Sequence, residues 1–459
     1  MAPLPIQPLS PLDGRYQQAV SALGEHLSEA GLNRARVHVE VEWLIALTGR
    51  GIFGVAPLTS DEVATLRAWA AGFGQTEIDW LAAKERETRH DVKAVEYLIR
   101  EKLAELGLTR VAELVHFACT SEDINNLSYA ITVRDAVGEV WLPAFDAVIE
   151  RIRELAIQYR DAPMLSRTHG QPATPTTMGK ELAVVVHRLR RQRDRIAAIQ
   201  YLGKLNGATG TYAAHLAAEP DLDWQAVSRA FVESLGLTWN PLTTQIESHD
   251  WQAELYQAVS LAGRILHGFC VDVWTYISLG YFRQIPVAGA TGSSTMPHKV
   301  NPIRFENAEA NLELASAVLD SLAATLVESR MQRDLTDSTT QRNIGVGLGH
   351  SLLALDNIRR GLGEVELDRA LLLEDLDANQ EVLAEAIQTV IRAEVAAGRS
   401  SIADPYKILK DLTRGHRVSA DEFRAFVEGL EIGDEAKARL LALTPATYTG
   451  IADELVDLI

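Results

Sequence analysis

Apolar residues recur with the spacing of an α-helix along almost the whole chain, and alternating runs of β-branched residues are nearly absent. The first part of the chain has helical patterns at about 17–30, 33–48, 60–74 and 91–106. Longer patterns follow near 122–160, 175–202, 248–282, 303–329 and 339–363. The sequence therefore predicts an all-α protein.

The lengths of these patterns divide the chain into three predicted helical domains. Residues 1–115 form an N-terminal helical domain, residues 116–365 a central long-helix bundle, and residues 366–459 a small C-terminal domain punctuated by Gly and Pro. Pro143 should kink or break the first long helix. A helix of ~30 residues spans ~45 Å, which is longer than one compact domain needs. The long helices are therefore expected to pack against partner subunits, and the pattern predicts an oligomer.

Composition narrows the function classes. Apolar residues make up 47 % of the 459 residues and charged residues 23 %, as in ordinary globular proteins, and the formal net charge is −18. Such a charge argues against binding to nucleic acid or to an anionic membrane, because both need a basic surface. The N-terminus lacks the pattern of a signal peptide, and the two cysteines form neither a CxxC pair nor a zinc motif. We expect a cytoplasmic protein whose partners are small anionic molecules held by a local positive site.

The stretch GATGSSTMPHKVNP, residues 289–302, has the strongest chemical signal. Its small, glycine-rich first half is typical of a loop that closes over a ligand. Asn301 reads as a helix N-cap and Pro302 as the first helical residue, and a helix start attracts anions. Lys299 adds a full positive charge. The alternative, on physical grounds alone, is an ordinary connecting loop ahead of a capped helix.

The segment SSTMPHKVNP, residues 293–302, resembles the signature of the fumarase/aspartase superfamily, whose members make or consume fumarate. The resemblance implies that Ser293 is the general base and that Lys299 and Asn301 bind a substrate carboxylate. Because a serine is a weak base in water, it would act as an alkoxide stabilised by neighbouring N–H groups and Lys299.

A second motif, SRTHGQPATP, covers residues 166–175. Its Pro and Gly residues predict a tight loop, with Thr174-Pro175 opening the next helix. It resembles the loop that supplies the general acid in the adenylosuccinate lyase family, which identifies His169 as that acid; histidine exchanges protons near neutral pH. The same resemblance pairs Glu306 with His169. The alternatives are a structural histidine and an exposed helix carboxylate.

Phosphate and nucleotide contacts separate the adenylosuccinate lyase family from its relatives. SPLDGRY, residues 10–16, resembles its phosphate loop, with Arg15 and Tyr16 as contacts, and residues 329–342 resemble its nucleotide-binding strip. If that strip is helical, Ser338 and Arg342 share a face. The resemblance assigns substrate binding to Arg89, His90, Asp91, Thr120, Ser121, Gln245, Arg333, Ser338 and Arg342. Thr120 and Ser121 also read as caps of the helix that follows.

The resemblance covers nearly the whole chain, including residues 412–417, which are typical of the longer bacterial form. It implies three helical domains whose central bundles join into the twenty-helix core of a homotetramer, with active sites shared between subunits. The implied reactions release fumarate from two purine precursors and need neither metal nor cofactor. The alternatives are another fumarate-releasing enzyme such as argininosuccinate lyase, a serine hydrolase using Ser293 and His169, or a non-catalytic structural relative.

Overall fold

A computed structural model describes residues 8–286, 296, 299–413 and 418–459. The structure is 66 % helical, which confirms the all-α class. In the described residues the α-helices are α1 Gln17–Leu27, α2 Glu29–Thr48, α3 Ser60–Ala71, α4 Gln75–Thr88, α5 Asp91–Glu105, α6 Ser121–Asp135, α7 Leu142–Gln158, α8 Met178–Ala197, α9 Ala213–Ala218, α10 Trp224–Ser234, α11 Asp250–Ser278, α12 Ile303–Leu326, α13 Thr336–Gln341, α14 Ile344–Gly361, α15 Arg369–Asp377, α16 Ala384–Ala396, α17 Pro405–Thr413, α18 Ala420–Glu428 and α19 Asp434–Leu441.

Short polar side chains start many of these helices where the sequence changes from loop to helical pattern. The Gly31 N–H donates to Ser28 Oγ (3.1 Å) at the start of α2. At α3 the Glu62 N–H donates to Thr59 Oγ1 (3.3 Å) and the Thr59 N–H donates to Glu62 Oε2 (2.8 Å). These reciprocal bonds satisfy N–H groups that a helix start leaves without partners.

The predicted interruption near Pro143 is confirmed. A π-helical turn, Ala136–Trp141, separates α6 from α7, and Pro143 is the second residue of α7. Proline has no N–H to donate, so the hydrogen-bond ladder cannot run through it unchanged.

Short two-stranded sheets complete the described fold, and one of them corrects the sequence prediction. The strands are β1 Pro163–Thr168, β2 Gln171–Thr177, β3 Leu202–Gly203, β4 Thr238–Trp239, β5 Phe282–Gln284 and β6 Val365–Leu367; β1 pairs antiparallel with β2, β3 parallel with β4, and β5 antiparallel with β6. Thr174-Pro175 was expected to open a helix but lies within β2, and α8 begins at Met178. Proline is tolerated here because, among the residues that the structure describes, β2 pairs with β1 alone and keeps a free edge.

The chain divides into two compact units. The first comprises residues 1–146, 192–267 and 308–356, and the second comprises 147–191, 268–307 and 357–459. Their boundaries fall inside α7, α8, α11, α12 and α14. The second unit contains a buried apolar cluster built from residues between Leu383 and Leu440. The three-domain division with boundaries at 115/116 and 365/366 stays a prediction.

Across the described part of the chain, no helix combines the length and the apolar character needed to cross a lipid bilayer.

Candidate active site

The loop that ends in Thr120 and Ser121 is fixed by one buried carboxylate. Thr120 is the N-cap residue of α6, which confirms the cap prediction for Thr120, whereas Ser121 is already the first helical residue. The Thr120 N–H donates to Asp123 Oδ2 (2.8 Å). Asp123 Oδ1 lies 2.9 Å from Lys204 Nζ, and both side chains are fully buried. Oδ1 also accepts from the Asn206 N–H (2.9 Å). A buried carboxylate with this many donors holds the loop in one conformation.

The other end of the same loop is fixed by Glu40, which is fully buried on α2. Glu40 Oε1 lies 2.5 Å from His116 Nδ1, and Oε2 accepts from the His116 backbone N–H (3.1 Å). His116 and Ala118 have φ angles of 58° and 55°, a region that non-glycine residues adopt only when their surroundings enforce it. Glu40 is therefore one of the groups that keep this loop in a strained shape.

Glu40 also changes how the protein responds to pH. Burial lowers the pKa of His116, but the hydrogen bond and charge of Glu40, with the charges of Glu96 and Asp123, outweigh it and leave the pKa raised. A pKa raised in the folded state means that the protonated ring stabilises the protein. This stability is fully present below the unfolded pKa of about 6.5 and is lost as pH rises through the folded pKa.

We therefore expect His116→Gln to lower Tm more at about pH 6 than at about pH 9. Thermal unfolding of both proteins across this range measures the difference. The control is His187→Gln, at an exposed position on α8, which should show no such trend. An equal loss of Tm at both pH values would contradict the role of the protonated ring.

Asp91 joins two arginines at the start of α5. His90 is the N-cap residue of α5, and its Nδ1 accepts from the Lys93 N–H (3.2 Å). Asp91 Oδ2 accepts from Arg36 Nη2 (2.8 Å) and from Arg342 Nη2 (3.3 Å). Burial would raise the pKa of Asp91, but the charges of Arg36 and Arg342 and a backbone hydrogen bond outweigh it, so the pKa is lowered. The carboxylate therefore stays ionised and orients both guanidinium groups.

A second chain of contacts runs from Arg36 to the predicted nucleotide-binding strip, residues 329–342. Arg36 Nε donates to Asn125 Oδ1 (2.9 Å), and Asn125 Nδ2 donates to Glu122 Oε1 (2.9 Å). The same Glu122 oxygen accepts from Arg333 Nη2 (2.9 Å). Arg333 Nη1 in turn donates to Gln245 Oε1 (3.2 Å). One network thus joins residues that are far apart in sequence, including Gln245 and Arg333 from the predicted set.

The strip itself has the predicted helical geometry. Ser338 lies in α13, and Arg342 follows the end of that helix. Arg342 Nη1 donates to Ser338 Oγ (3.1 Å), which confirms that the two side chains share a face. Arg342 Nε donates to Glu29 Oε1 (2.9 Å).

The network contains residues that the sequence analysis missed: Glu29, Arg36, Glu122 and Asn125. The sequence contained a signal for one of these residues, Arg36. Leu32, Arg36, Glu40 and Leu44 follow each other at intervals of four on α2, and all are buried. A charge on the apolar face of a helix needs a partner, so Arg36 and Glu40 could have been identified as polar anchors.

Arg15 and Tyr16 lie just before α1. Arg15 is exposed, and its guanidinium carbon lies 5.9 Å from the centre of the Tyr16 ring. Arg89, another residue of the predicted set, follows the end of α4 and has a left-handed φ of 53°. A cavity of about 610 Å³ is lined by Asp13 and Gln17, which flank Arg15 and Tyr16, and by Arg342 of the network. The predicted phosphate loop and the predicted nucleotide-binding strip thus border the same cavity through Asp13 and Arg342, although Arg15 and Tyr16 are not among its lining residues.

His169 lies in the second unit, at the tip of the β1–β2 hairpin. Thr168 pairs with Gln171, so the turn consists of His169 and Gly170 alone. Their φ angles are 54° and 75°, as in the type I′ turn that matches the twist of a hairpin. The imidazole is therefore held at an exposed tip rather than in the loop-to-helix junction that the sequence suggested.

The signature segment is described only in part, and Ser293 lies outside the described residues. Lys299 is exposed and Asn301 is half-buried. The helix α12 begins at Ile303, and the Pro302 carbonyl accepts from the Glu306 N–H (3.3 Å). Pro302, not Asn301, is therefore the N-cap residue, which corrects the predicted helix start by one position.

Glu306 lies in the first turn of α12, where its Oε1 accepts from Trp274 Nε1 (3.2 Å). Within the described part of the second unit, no hydrogen bond joins Glu306 to His169. Their pairing stays a prediction.

Known proteins resemble this chain along its length. A family model described as lyase matches residues 14–317, and one described as adenylosuccinate lyase C-terminal matches residues 329–449. The curated relative named adenylosuccinate lyase from Escherichia coli (strain K12) is 52 % identical over 451 residues, which are 98 % of each chain. Its counterpart from Haemophilus influenzae (strain ATCC 51907 / DSM 11121 / KW20 / Rd) is 51 % identical over 451 residues, again 98 % of each chain.

Solved structures agree with the fold. Fumarate lyase from Mesorhizobium sp. BNC1 superposes with a TM-score of 0.74 at 20 % identity, covering 95 % of this chain and 97 % of that chain. The 3-carboxy-cis,cis-muconate lactonizing enzyme from Pseudomonas putida gives a TM-score of 0.71 at 24 % identity, covering 95 % and 96 %. At these identities the likeness is one of fold.

The helical fold and the match over residues 14–317 define the class: the protein is a lyase. The C-terminal match and the identity of 51–52 % across nearly the whole chain are more specific. The chain belongs to the adenylosuccinate lyase family.

Proposed function

We propose that this chain catalyses two β-eliminations in cytoplasmic purine nucleotide biosynthesis. One releases fumarate from adenylosuccinate and gives AMP; the other releases fumarate from the succinyl-carboxamide ribotide (SAICAR) and gives AICAR. The observation that carries the proposal is the 52 % identity, over 98 % of both chains, to a relative named adenylosuccinate lyase. The network around Arg333 and Arg342 adds support, because its carboxylates hold both guanidinium groups in fixed orientations, and guanidinium groups match phosphate oxygens.

The elimination needs a base, an acid and a group that stabilises charge. Ser293 removes the proton from the carbon beside a carboxylate, and the electron pair left behind forms the double bond of fumarate as the C–N bond breaks. Lys299 and Asn301 stabilise the charge that builds up on that carboxylate. His169 donates a proton to the departing nitrogen, and Glu306 orients His169.

The remaining residues hold the substrate. Arg15, Tyr16, Arg333, Ser338 and Arg342 hold the phosphate and nucleotide, since guanidinium groups match phosphate oxygens. Thr120 and Ser121 bind the carboxylate that leaves with fumarate, on the loop that Asp123 and Glu40 fix. Arg89, His90, Asp91 and Gln245 contact the remaining polar parts of the substrate.

Absorbance monitoring of the purified protein with adenylosuccinate tests the activity. Argininosuccinate, and fumarate with water, serve as parallel substrates. We expect turnover of adenylosuccinate and none of the other two. Turnover of argininosuccinate with none of adenylosuccinate would overturn the proposed substrate.

We further propose that the protein acts as a homotetramer with active sites shared between subunits. Large apolar side chains on the long helices support this, because they are well exposed on the single chain: Val184 (43 %), Leu261 (40 %), Val271 (41 %), Trp274 (43 %) and Leu314 (51 %). Such residues favour burial against a second copy.

Shared sites predict complementation. In this arrangement His169 and Ser293 of one site come from different subunits, so two inactive variants, His169→Asn and Ser293→Ala, should restore activity in mixed tetramers. Under random mixing up to about one quarter of wild-type activity should return, because each site needs an intact residue from each of two independent chains. The variants are mixed by co-denaturation and refolding, and hybrids are verified by differential tags. Verified hybrids without activity would place both residues on one subunit.

A further inference from the structure

The hairpin that carries His169 is a two-stranded sheet by itself, since β1 pairs only with β2 in the described fold. Isolated two-stranded hairpins are marginally stable in water. The β1–β2 register also shifts between Met164 and Ser166. A general acid must be held within a few tenths of an ångström of its target, so this hairpin needs support from elsewhere in the second unit.

The helix α15 supplies that support on the β1 side. Leu165 packs in a buried cluster with Leu376 and Val382. Two residues further along β1, Arg167 Nη2 donates to Asp375 Oδ2 (2.7 Å), next to Leu376 on α15. Asp375 thus anchors β1 at a position only two residues from His169.

Asp375 is itself held in place. The Tyr281 hydroxyl donates to the same Oδ2 atom, and Tyr281 as a residue is only 3 % exposed. Burial and the contact with Asp375 raise the pKa of Tyr281 to about 12, so the hydroxyl keeps its proton and remains a donor at neutral pH. The Asp368 N–H donates to the Tyr281 carbonyl (2.8 Å) just ahead of α15, which ties the two segments together.

We propose that Asp375, held by Tyr281, is a positioning residue that orients His169 through Arg167. The inference rests on the proposed role of His169 as general acid. Glu385 supports the β2 side, where its Oε2 accepts from Thr174 Oγ1 (2.9 Å) and from the Tyr448 hydroxyl (3.2 Å). Residues beyond position 366 therefore contribute to chemistry without touching the substrate.

The test compares Asp375→Asn with Asp161→Asn. Both remove one negative charge from an ion pair with arginine, but Asp161 pairs with Arg369 at the surface and has no contact with Arg167. We expect Asp375→Asn to lower kcat by about 10-fold with KM within about 2-fold of wild type, because misplacing a catalytic group costs turnover more than binding. Hydrogen exchange over residues 163–177 should quicken. Asp161→Asn should change none of these quantities.

A second variant covers the case in which Asp375→Asn folds poorly. Tyr281→Phe keeps the buried ring and removes one donor, and it should lower kcat by roughly 3-fold, again with KM little changed. Activity is normalised to folded tetramer, because a merely structural contact would lower Tm but not turnover per folded site.

A failure of the positioning role can be distinguished from a failure of the proposed function. Wild-type kcat in both Asp375→Asn and Tyr281→Phe, beside an inactive His169→Asn, would overturn the positioning role and leave the proposed function intact. An active His169→Asn would show that His169 is not the general acid and would overturn the positioning role with it, whereas the proposed function fails only if the wild-type protein does not turn over adenylosuccinate.

Discussion

Replacing His169 by asparagine is expected to lower kcat by about 10²-fold or more while leaving the fold intact. Asparagine is the informative choice because His169 has a φ of 54°, which asparagine tolerates better than alanine. Asn-Gly is also the favoured pair for a two-residue hairpin turn, so His169→Asn should not loosen the turn with Gly170. Turnover is followed by adenylosuccinate absorbance, and substrate affinity by calorimetry.

Ser293→Ala is expected to show the same fall in kcat with substrate binding retained, since Lys299 and Asn301 remain. Circular dichroism and Tm check the fold of both variants. Near-normal turnover in either variant, with an unchanged fold, would show that the residue does not transfer the proton.

Replacing Arg333 by leucine should weaken binding of adenylosuccinate and of AMP alike by about 10- to 100-fold, because hydrogen bonds to a charged group contribute about 1.5–3 kcal/mol. AMP has the phosphate but lacks the succinyl group, so its affinity isolates the nucleotide side of the site. Calorimetric titration with AMP gives this affinity directly.

The network complicates this variant, since Glu122 keeps only 4 % of its side chain exposed and loses its cation when Arg333 is removed. An unpaired buried carboxylate destabilises the fold. The control is Glu122→Gln combined with Arg333→Leu, which should recover Tm without recovering AMP affinity. Arg15→Leu, at an exposed position, should weaken AMP binding with Tm unchanged. Unchanged AMP affinity in both arginine variants would disprove the phosphate assignment.

The sequence predicted the long helices because their apolar period is sustained over many turns. It missed α4, where only Leu81 is buried and the apolar signal is correspondingly weak. It also missed the β1–β2 hairpin, whose second strand, QPATPTT, contains two prolines and no alternating apolar residues. That strand is held by Glu385, more than 200 residues away, and no local pattern reports such a contact.

The residues of the candidate site also divide into those that the sequence predicted and those that it missed. Resemblance identified Gln245, Arg333 and Arg342 by position, and the structure shows that Arg333 contacts Gln245 directly. The resemblance gave no reason to connect Asn125 with Arg36, because these two residues lie on different helices and are 89 positions apart in the sequence. Resemblance to a family therefore names candidate ligand contacts, but it does not name the distant residues that hold them in place.

The carboxylate of Asp123 has a consequence for the order in which a newly made chain can fold. Its partners Lys204, Asn206 and Gly207 lie 81 to 84 residues further along the chain. At ribosomal rates of about 5–20 residues per second, this carboxylate waits roughly 4–17 s before Gly207 has even been synthesised. During that interval the start of α6 cannot bury the charge without a large penalty, so the segment stays hydrated. The loop that ends in Thr120 therefore gains its final shape only after nearly half of the chain has been made.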